Sequence, residues 1–201
     1  MNEFTNRRAG QAKTVQGIVP PVTLQEFADF LGVNVSDPLL PGILASASES
    51  VVGFIGRDLI NRTWTLTHWD WPVWGTLAAR NVGRPTGDYR REINLPYAGL
   101  QSVELVELYG DPTTDFVTRD DAIVLRGIGL SGGNDDPAIV VEYVAGFGDD
   151  AGDVPESIKG AILALAAFNY EHRGTCDAHQ AMKRSGAADM LAQWRKAELL
   201  W

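Results

Sequence analysis

Apolar residues along the chain follow two periods, and the switches between them divide it. Leu24, Phe27, Ala28 and Leu31 recur at helical spacing behind Thr23 and Glu26, a pair able to form a capping box, and Gly32 ends the turn. This predicts a short helix over 23–31. Asp37-Pro38 offer an N-cap and a first helical position to a second apolar stripe, Leu40, Ile43, Leu44, Ala47, Val51 and Ile55, which Gly56 closes. A helix over 38–56 follows. Near residue 61 the period falls to two, with Trp64, Leu66 and His68 alternating with Thr63, Thr65 and Thr67. Further strands are predicted at 91–95, 101–109, 121–126 and 138–144, separated by Pro, Gly and Asp turns, so residues 61–148 are expected to form a small antiparallel sheet. The helical period returns after Val154-Pro155, where Ile158, Ile162, Leu165 and Phe168 share a face and predict a helix over 155–173. Beyond a polar link, Met190, Leu191, Trp194, Ala197 and Trp201 trace a last helix over 187–200.

Residues 1–21 have no apolar period and end in Pro20-Pro21, so they read as an extended arm that another chain is expected to hold. The expected fold class is α+β, mainly α: a helical bundle with a small β insertion and extended N- and C-terminal arms. One domain over 22–196 lies between the arm 1–21 and a docking tail 197–201. No internal repeat and no βαβ unit is present.

At 201 residues with 45% apolar and 21% charged residues, the chain has the size and composition of one globular domain with extensions. Acidic residues outnumber basic ones 26 to 17, a net charge of −9, which argues against avid, sequence-independent binding to duplex DNA. The distribution says more than the sum. Residues 97–154 hold 12 acidic and 2 basic residues, so nearly all the excess acid sits in one stretch. The lone Cys176 makes no internal disulfide, and no run approaches the roughly 20 apolar residues of a membrane span. The N-terminus also lacks the apolar stretch of a signal peptide, so a soluble protein made in the cytoplasm is expected, with no membrane partner.

Three motifs suggest chemistry and fail on context. Gly127, Gly129 and Gly132 have the spacing of a dinucleotide fingerprint, but a further strand follows instead of the helix N-terminus that would hold a pyrophosphate, and Asp135-Asp136 would repel it. Ser131 between Gly129 and Gly133 imitates a nucleophile elbow without the strand-to-helix turn. His172, Cys176 and His179 are acceptable zinc ligands, yet Gly174-Thr175 interrupt the helix that would align them. No catalytic residue, metal or cofactor is assigned.

The aromatic pattern carries more weight. Trp64, Trp69, Trp71 and Trp74 fall within eleven positions, and Trp69, Trp71 and Trp74 are candidates for a subunit or tail interface, because exposed tryptophan is typical of protein interfaces. The C-terminal Leu199-Leu200-Trp201 is equally apolar. Burying Trp201 is worth roughly 5 kcal/mol and the two leucines about 3 to 6, against roughly 10 for ordering about seven residues. One such arm gains little alone, whereas many engaged together bind by avidity.

Several short segments, in order, carry a resemblance. They are Val22–Leu31, the helix end Ser50–Arg57 with the adjoining Ile60–Leu66 strand, Leu95-Pro96 with Leu100–Val103, the Val140–Gly148 strand, and above all Val154–Arg173. Together they resemble the head-to-tail connector (adaptor, or head-completion) proteins of tailed bacteriophages, over roughly residues 22–196. The resemblance implies a virion protein of the neck, assembled in the host cytoplasm as a closed ring of about twelve copies below the portal protein. Such a ring extends the DNA channel, passes duplex DNA without binding it tightly, and offers a docking surface to a stopper or tail-completion protein. It also implies a terminal segment that grips the portal or a neighbour, with Trp194, Leu199, Leu200, Trp201, Arg7 and Arg8 as candidates. Asp120, Asp121, Asp135, Asp136, Asp149 and Asp150 are candidates for the channel wall, where negative charge would keep phosphates from sticking. The alternatives are a tail-side stopper or tube-completion protein and a metal-dependent enzyme. The basic arm, the Trp-rich loop over 69–88 and the segment beyond Arg195 depart from the family's pattern.

Overall fold

The computed structural model describes residues 11–69, 91–126, 137–172 and 177–196. The chain divides into a β unit, from residues 1–15, 63–96 and 100–144, and a helical unit, from 16–62, 97–99 and 145–201. The class is α+β, as the periodicity indicates.

In the helical unit, α1 (Leu24–Leu31) opens on the capping box foreseen from Thr23 and Glu26. Glu26 N–H donates to the Thr23 hydroxyl at 3.2 Å, and Thr23 N–H donates to the Glu26 carboxylate at 2.7 Å. Gly32, at φ 68°, closes the helix in the left-handed conformation that a side chain would disfavour. Helix α2 (Leu40–Ile55) starts two residues later than Asp37-Pro38 suggests. The reason is local: the Asp37 carboxylate accepts from Leu39 N–H at 2.9 Å and from the Tyr170 hydroxyl at 2.8 Å, which stabilises a turn ahead of the helix. Leu40, Leu44, Ala47, Val51 and Ile55 face the core, and buried Ser48 returns its hydroxyl to the Leu44 carbonyl at 2.9 Å. Helix α3 (Glu156–Glu171) lays Ile158, Ile162 and Leu165 against them.

The last helix expected over 187–200 is a correction. Asp177 caps a separate helix α4 (Ala178–Arg184) by accepting from Gln180 N–H at 2.8 Å, and Gly186 at φ 78° turns the chain into α5 (Ala187–Leu191). A single 3₁₀ turn, Ala192–Trp194, follows. The α-helix stops at Leu191 and Arg195 is already extended, so the described part of this stretch is not one continuous helix.

Among the described residues the β unit forms two antiparallel sheets, not one. The first has the order β1 (Gln11–Lys13), β2 (Arg62–His68), β8 (Ile139–Ala145), β4 (Leu100–Leu108), β5 (Asp111–Pro112). The second places β7 (Ala122–Leu125) between β3 (Arg91–Asn94) and β6 (Phe116–Arg119), with Ile93 opposite Ile123 and Val117 opposite Val124. Alternate residues Ile139, Val141 and Tyr143 of β8 are buried, as period two requires. Residues 11–13 of the expected arm pair with the chain's own β2, Ala12 opposite Leu66, so no second chain is needed to hold them.

The capping box yields a pH-dependent prediction. Two hydrogen bonds to Thr23, first that from its backbone N–H and then that from its hydroxyl, hold the Glu26 pKa below its ordinary 4.5. A depressed carboxyl stabilises the fold above its unfolded pKa and loses that contribution as pH falls through the folded value. Thr23→Ala is expected to cost about 1 kcal/mol at pH 7, measured by urea unfolding. The gap between wild type and Glu26→Gln should narrow as the titration is taken below pH 4.5.

Candidate functional site

Three remote backbone segments meet at the C-terminal end of α2. Ala98 N–H donates to the Gly56 carbonyl at 2.9 Å, and Gly146 N–H donates to the Gly99 carbonyl at 3.0 Å. Arg57 seals this junction: its guanidinium donates to the Gly146 carbonyl at 3.0 Å and lies 3.9 Å from the centroid of the Phe147 ring. Position 99 has φ 85°, and a Cβ there would run into the Arg57 guanidinium, so only glycine fits. Phe147 in turn meets Trp194 edge-on at 5.6 Å and 78°.

Trp194, expected from sequence as a docking residue, is thus engaged inside the helical unit, and its indole N–H donates to the Ser157 hydroxyl at 3.1 Å. The next two residues are held as well. Arg195 lies over Phe54 at 5.4 Å, and Lys196 N–H donates to the Ile55 carbonyl at 2.9 Å. The chain therefore passes residue 196 from a fixed base. A second ionic anchor sits close by in sequence, where Asp58, fully buried, pairs with Arg62 at 2.8 Å.

Along α2, from Gly42 to Ser50, a groove of about 290 Å³ opens between α2, α3 and α4. Gly42, Ser46 and Ser50 form one wall at four-residue spacing, Leu165 and Phe168 belong to α3, and Ala178 and Ala181 form the far wall. Small residues on both sides keep it open. His172 closes one end, its ring stacked on Phe168 at 4.2 Å and its Nδ1 3.1 Å from the Phe168 carbonyl. Among the described residues no cluster of His, Cys, Asp or Glu could hold a metal ion, and no helix is long and apolar enough to cross a membrane.

The remaining candidates scatter. Trp69 is 44% exposed at the end of β2, while Trp71 and Trp74 lie outside the described residues. Arg7, Arg8, Leu199, Leu200 and Trp201 also lie outside them, as do Asp135, Asp136 and Cys176. Asp120 is exposed in a turn at φ 47°, and Asp121 uses its backbone carbonyl to accept from Leu95 N–H at 2.8 Å. Asp149 accepts from the Asn61 amide at 2.9 Å, and Asp150 N–H donates to Asp153 at 3.0 Å. Asp120 and Asp121 belong to the β unit, Asp149 and Asp150 to the helical unit. Asp149, and Asp121 whose carboxylate accepts from Leu100 N–H at 3.3 Å, thus shape loops as well as carrying charge. Sequence reasoning missed the groove and the Arg57–Phe147 contact. A cation and an aromatic ring ninety residues apart leave no local signal.

No protein-family model and no curated protein sequence matches the chain. Solved structures do. A chain in the neck of an empty GTA particle, computed with C6 symmetry, superposes with a TM-score of 0.66 at 20% identity, covering 94% of this chain and 97% of that one. The fold is that of a gene transfer agent neck chain. The neck of the native GTA particle, computed with C12 symmetry, gives 0.66 at 21% identity with the same coverage, and a chain of the native gene transfer agent virion gives 0.61 at 20%. The likeness to the neck chains runs through both units, β and helical.

The aromatic junction is testable by replacing its central ring. Phe147→Leu keeps apolar volume but loses both the guanidinium and the indole contacts, so it is expected to cost about 2 kcal/mol in urea unfolding. Asp58→Ala leaves Arg62 buried without its carboxylate and is expected to cost about 3 to 5 kcal/mol in the same assay.

Proposed function

We propose that the chain is a structural protein of the neck of a tailed-phage-like particle. In this reading it is the head-to-tail adaptor, forming a closed ring of about twelve copies beneath the portal protein, extending the DNA channel and receiving the stopper or tail. The observation that carries the reading is the near full-length likeness to neck chains, one of them in a particle computed with C12 symmetry. The order of the connector-like segments from Val22 to Arg173 favours the adaptor over its neighbours in the neck. The acid-rich stretch 97–154 suits a ring through which duplex DNA moves, because like charge prevents phosphates from lodging on the wall. Asp120, Asp149 and Asp150, all exposed, are proposed to face that passage.

Chemistry plays no part in this reading: the fingerprint-like glycines and the His172/His179 pair are given no catalytic role. The test is crosslinking in purified particles followed by mass spectrometry. Crosslinks joining this chain to the portal are expected. Crosslinks to tail proteins alone would instead make it a tail-side stopper. Deleting Leu199–Trp201 is expected to leave a folded chain that no longer joins DNA-filled capsids to tails, counted by electron microscopy, with wild-type yields overturning the docking role of that segment.

A further inference from the structure

The groove between α2, α3 and α4 and the last described residue, Lys196, lie at different places along one helix. The groove runs along α2 from Gly42 to Ser50. The chain reaches residue 196 at the other end, where the Ile55 carbonyl accepts from Lys196 N–H and Lys196 Cβ packs against Gly56. Helix carbonyls point toward the C-terminus, so residue 196 sits beyond the end of α2.

We infer that Leu199, Leu200 and Trp201 of one copy occupy the α2–α3–α4 groove of the next copy. Return to the copy's own groove fails on reach. From Ile55 back along the helix axis, the groove's near edge at Ser50 is about 7.5 Å away and Ser46 about 14 Å, at 1.5 Å per residue. Only residues 197 and 198 separate Lys196 from Leu199, and a reversal of chain direction consumes about two residues. Leu199 and Leu200 would then lie beside the end of α2, and only Trp201, about 7 Å further on, would meet the groove's near edge at Ser50. A neighbouring copy has no such limit.

The chemistry of the two parts matches. Ile43, Leu165 and Phe168 give the groove an apolar floor, and Gly42, Ser46 and Ala178 leave room above it for large side chains. Leu39, 42% exposed and one helical turn before Ile43, continues the apolar surface past the end of the groove. The segment supplies two leucines and a tryptophan, the residue type that most often anchors an interface. A donor at one end and an acceptor at the other make the contact heterologous, the kind that propagates from copy to copy and closes a ring when the rotation allows. This deepens the ring reading, and the segment's partner becomes a second copy of this chain.

The experiment uses full-length protein with Cys176→Ser. One population carries Ser46→Cys and the other Leu200→Cys, and they are mixed under oxidising conditions at the highest soluble concentration. A disulfide-linked pair is expected from the mixture, and a ladder of linked copies is expected when both cysteines sit on one chain. No linked pair, or linkage only within single chains carrying both cysteines, overturns the inference. Ser46→Trp, at an exposed position, fills the groove without entering the core and should raise the concentration for half-assembly at least tenfold in analytical ultracentrifugation, as should Leu200→Asp. Assembly unchanged by both variants overturns the inference while leaving the ring reading standing. Linked pairs that never close into rings keep the inference and remove the ring.

Discussion

The guanidinium of Arg57 against the ring of Phe147 is the contact on which the helical unit's organisation rests. Residues 97–99, just ahead of β4, and 145–147, at the end of β8, come from distant parts of the sequence. Arg57 bonds to Gly146 and stacks on Phe147 in the second, bridges to Ala98 in the first, and its guanidinium lies where a Cβ at position 99 would sit. Cation–π attraction is worth roughly 0.5 to 2 kcal/mol, rising as the pair is withdrawn from water, and here it joins a backbone hydrogen bond at the same group. The two act as one fastening.

From that fastening the aromatic contact passes outward to Trp194 and so to the end of the described chain. Trp194, Arg195 and Lys196 are each tied to a different partner, Ser157, Phe54 and Ile55. Three attachments in three consecutive residues give whatever follows a defined starting point and heading. A segment launched from a fixed base loses less freedom on docking than one launched from a loose end, which favours binding with modest contact area.

Much of the helical unit was legible from spacing alone. The Thr23–Glu26 pair, the α2 stripe and the α3 stripe each satisfy a local rule and each formed. Helix α4 was overlooked because in AHQAMKR only Ala181 and Met182 are buried, so there is no stripe to read, although Asp177 announces its cap. Strand β1 is polar and three residues long, and it exists through pairing with β2 more than fifty residues away. The division into two sheets depends on Ile93 finding Ile123, a choice of partner that alternation cannot encode. The groove is built largely from glycine, serine and alanine, and small residues leave no hydrophobic signature. Trp194 stood out as aromatic, but its engagement depends on Phe147, far back in the chain.

The ends of the five-stranded sheet constrain how copies can meet. Its outermost described strands are a three-residue β1 and a two-residue β5 that contains Pro112, which has no N–H to offer. Stubby margins and an imino acid are the usual means by which a sheet refuses to extend into a neighbouring molecule. Copies of the chain crowded together are thereby guarded against fibre-like stacking through those margins.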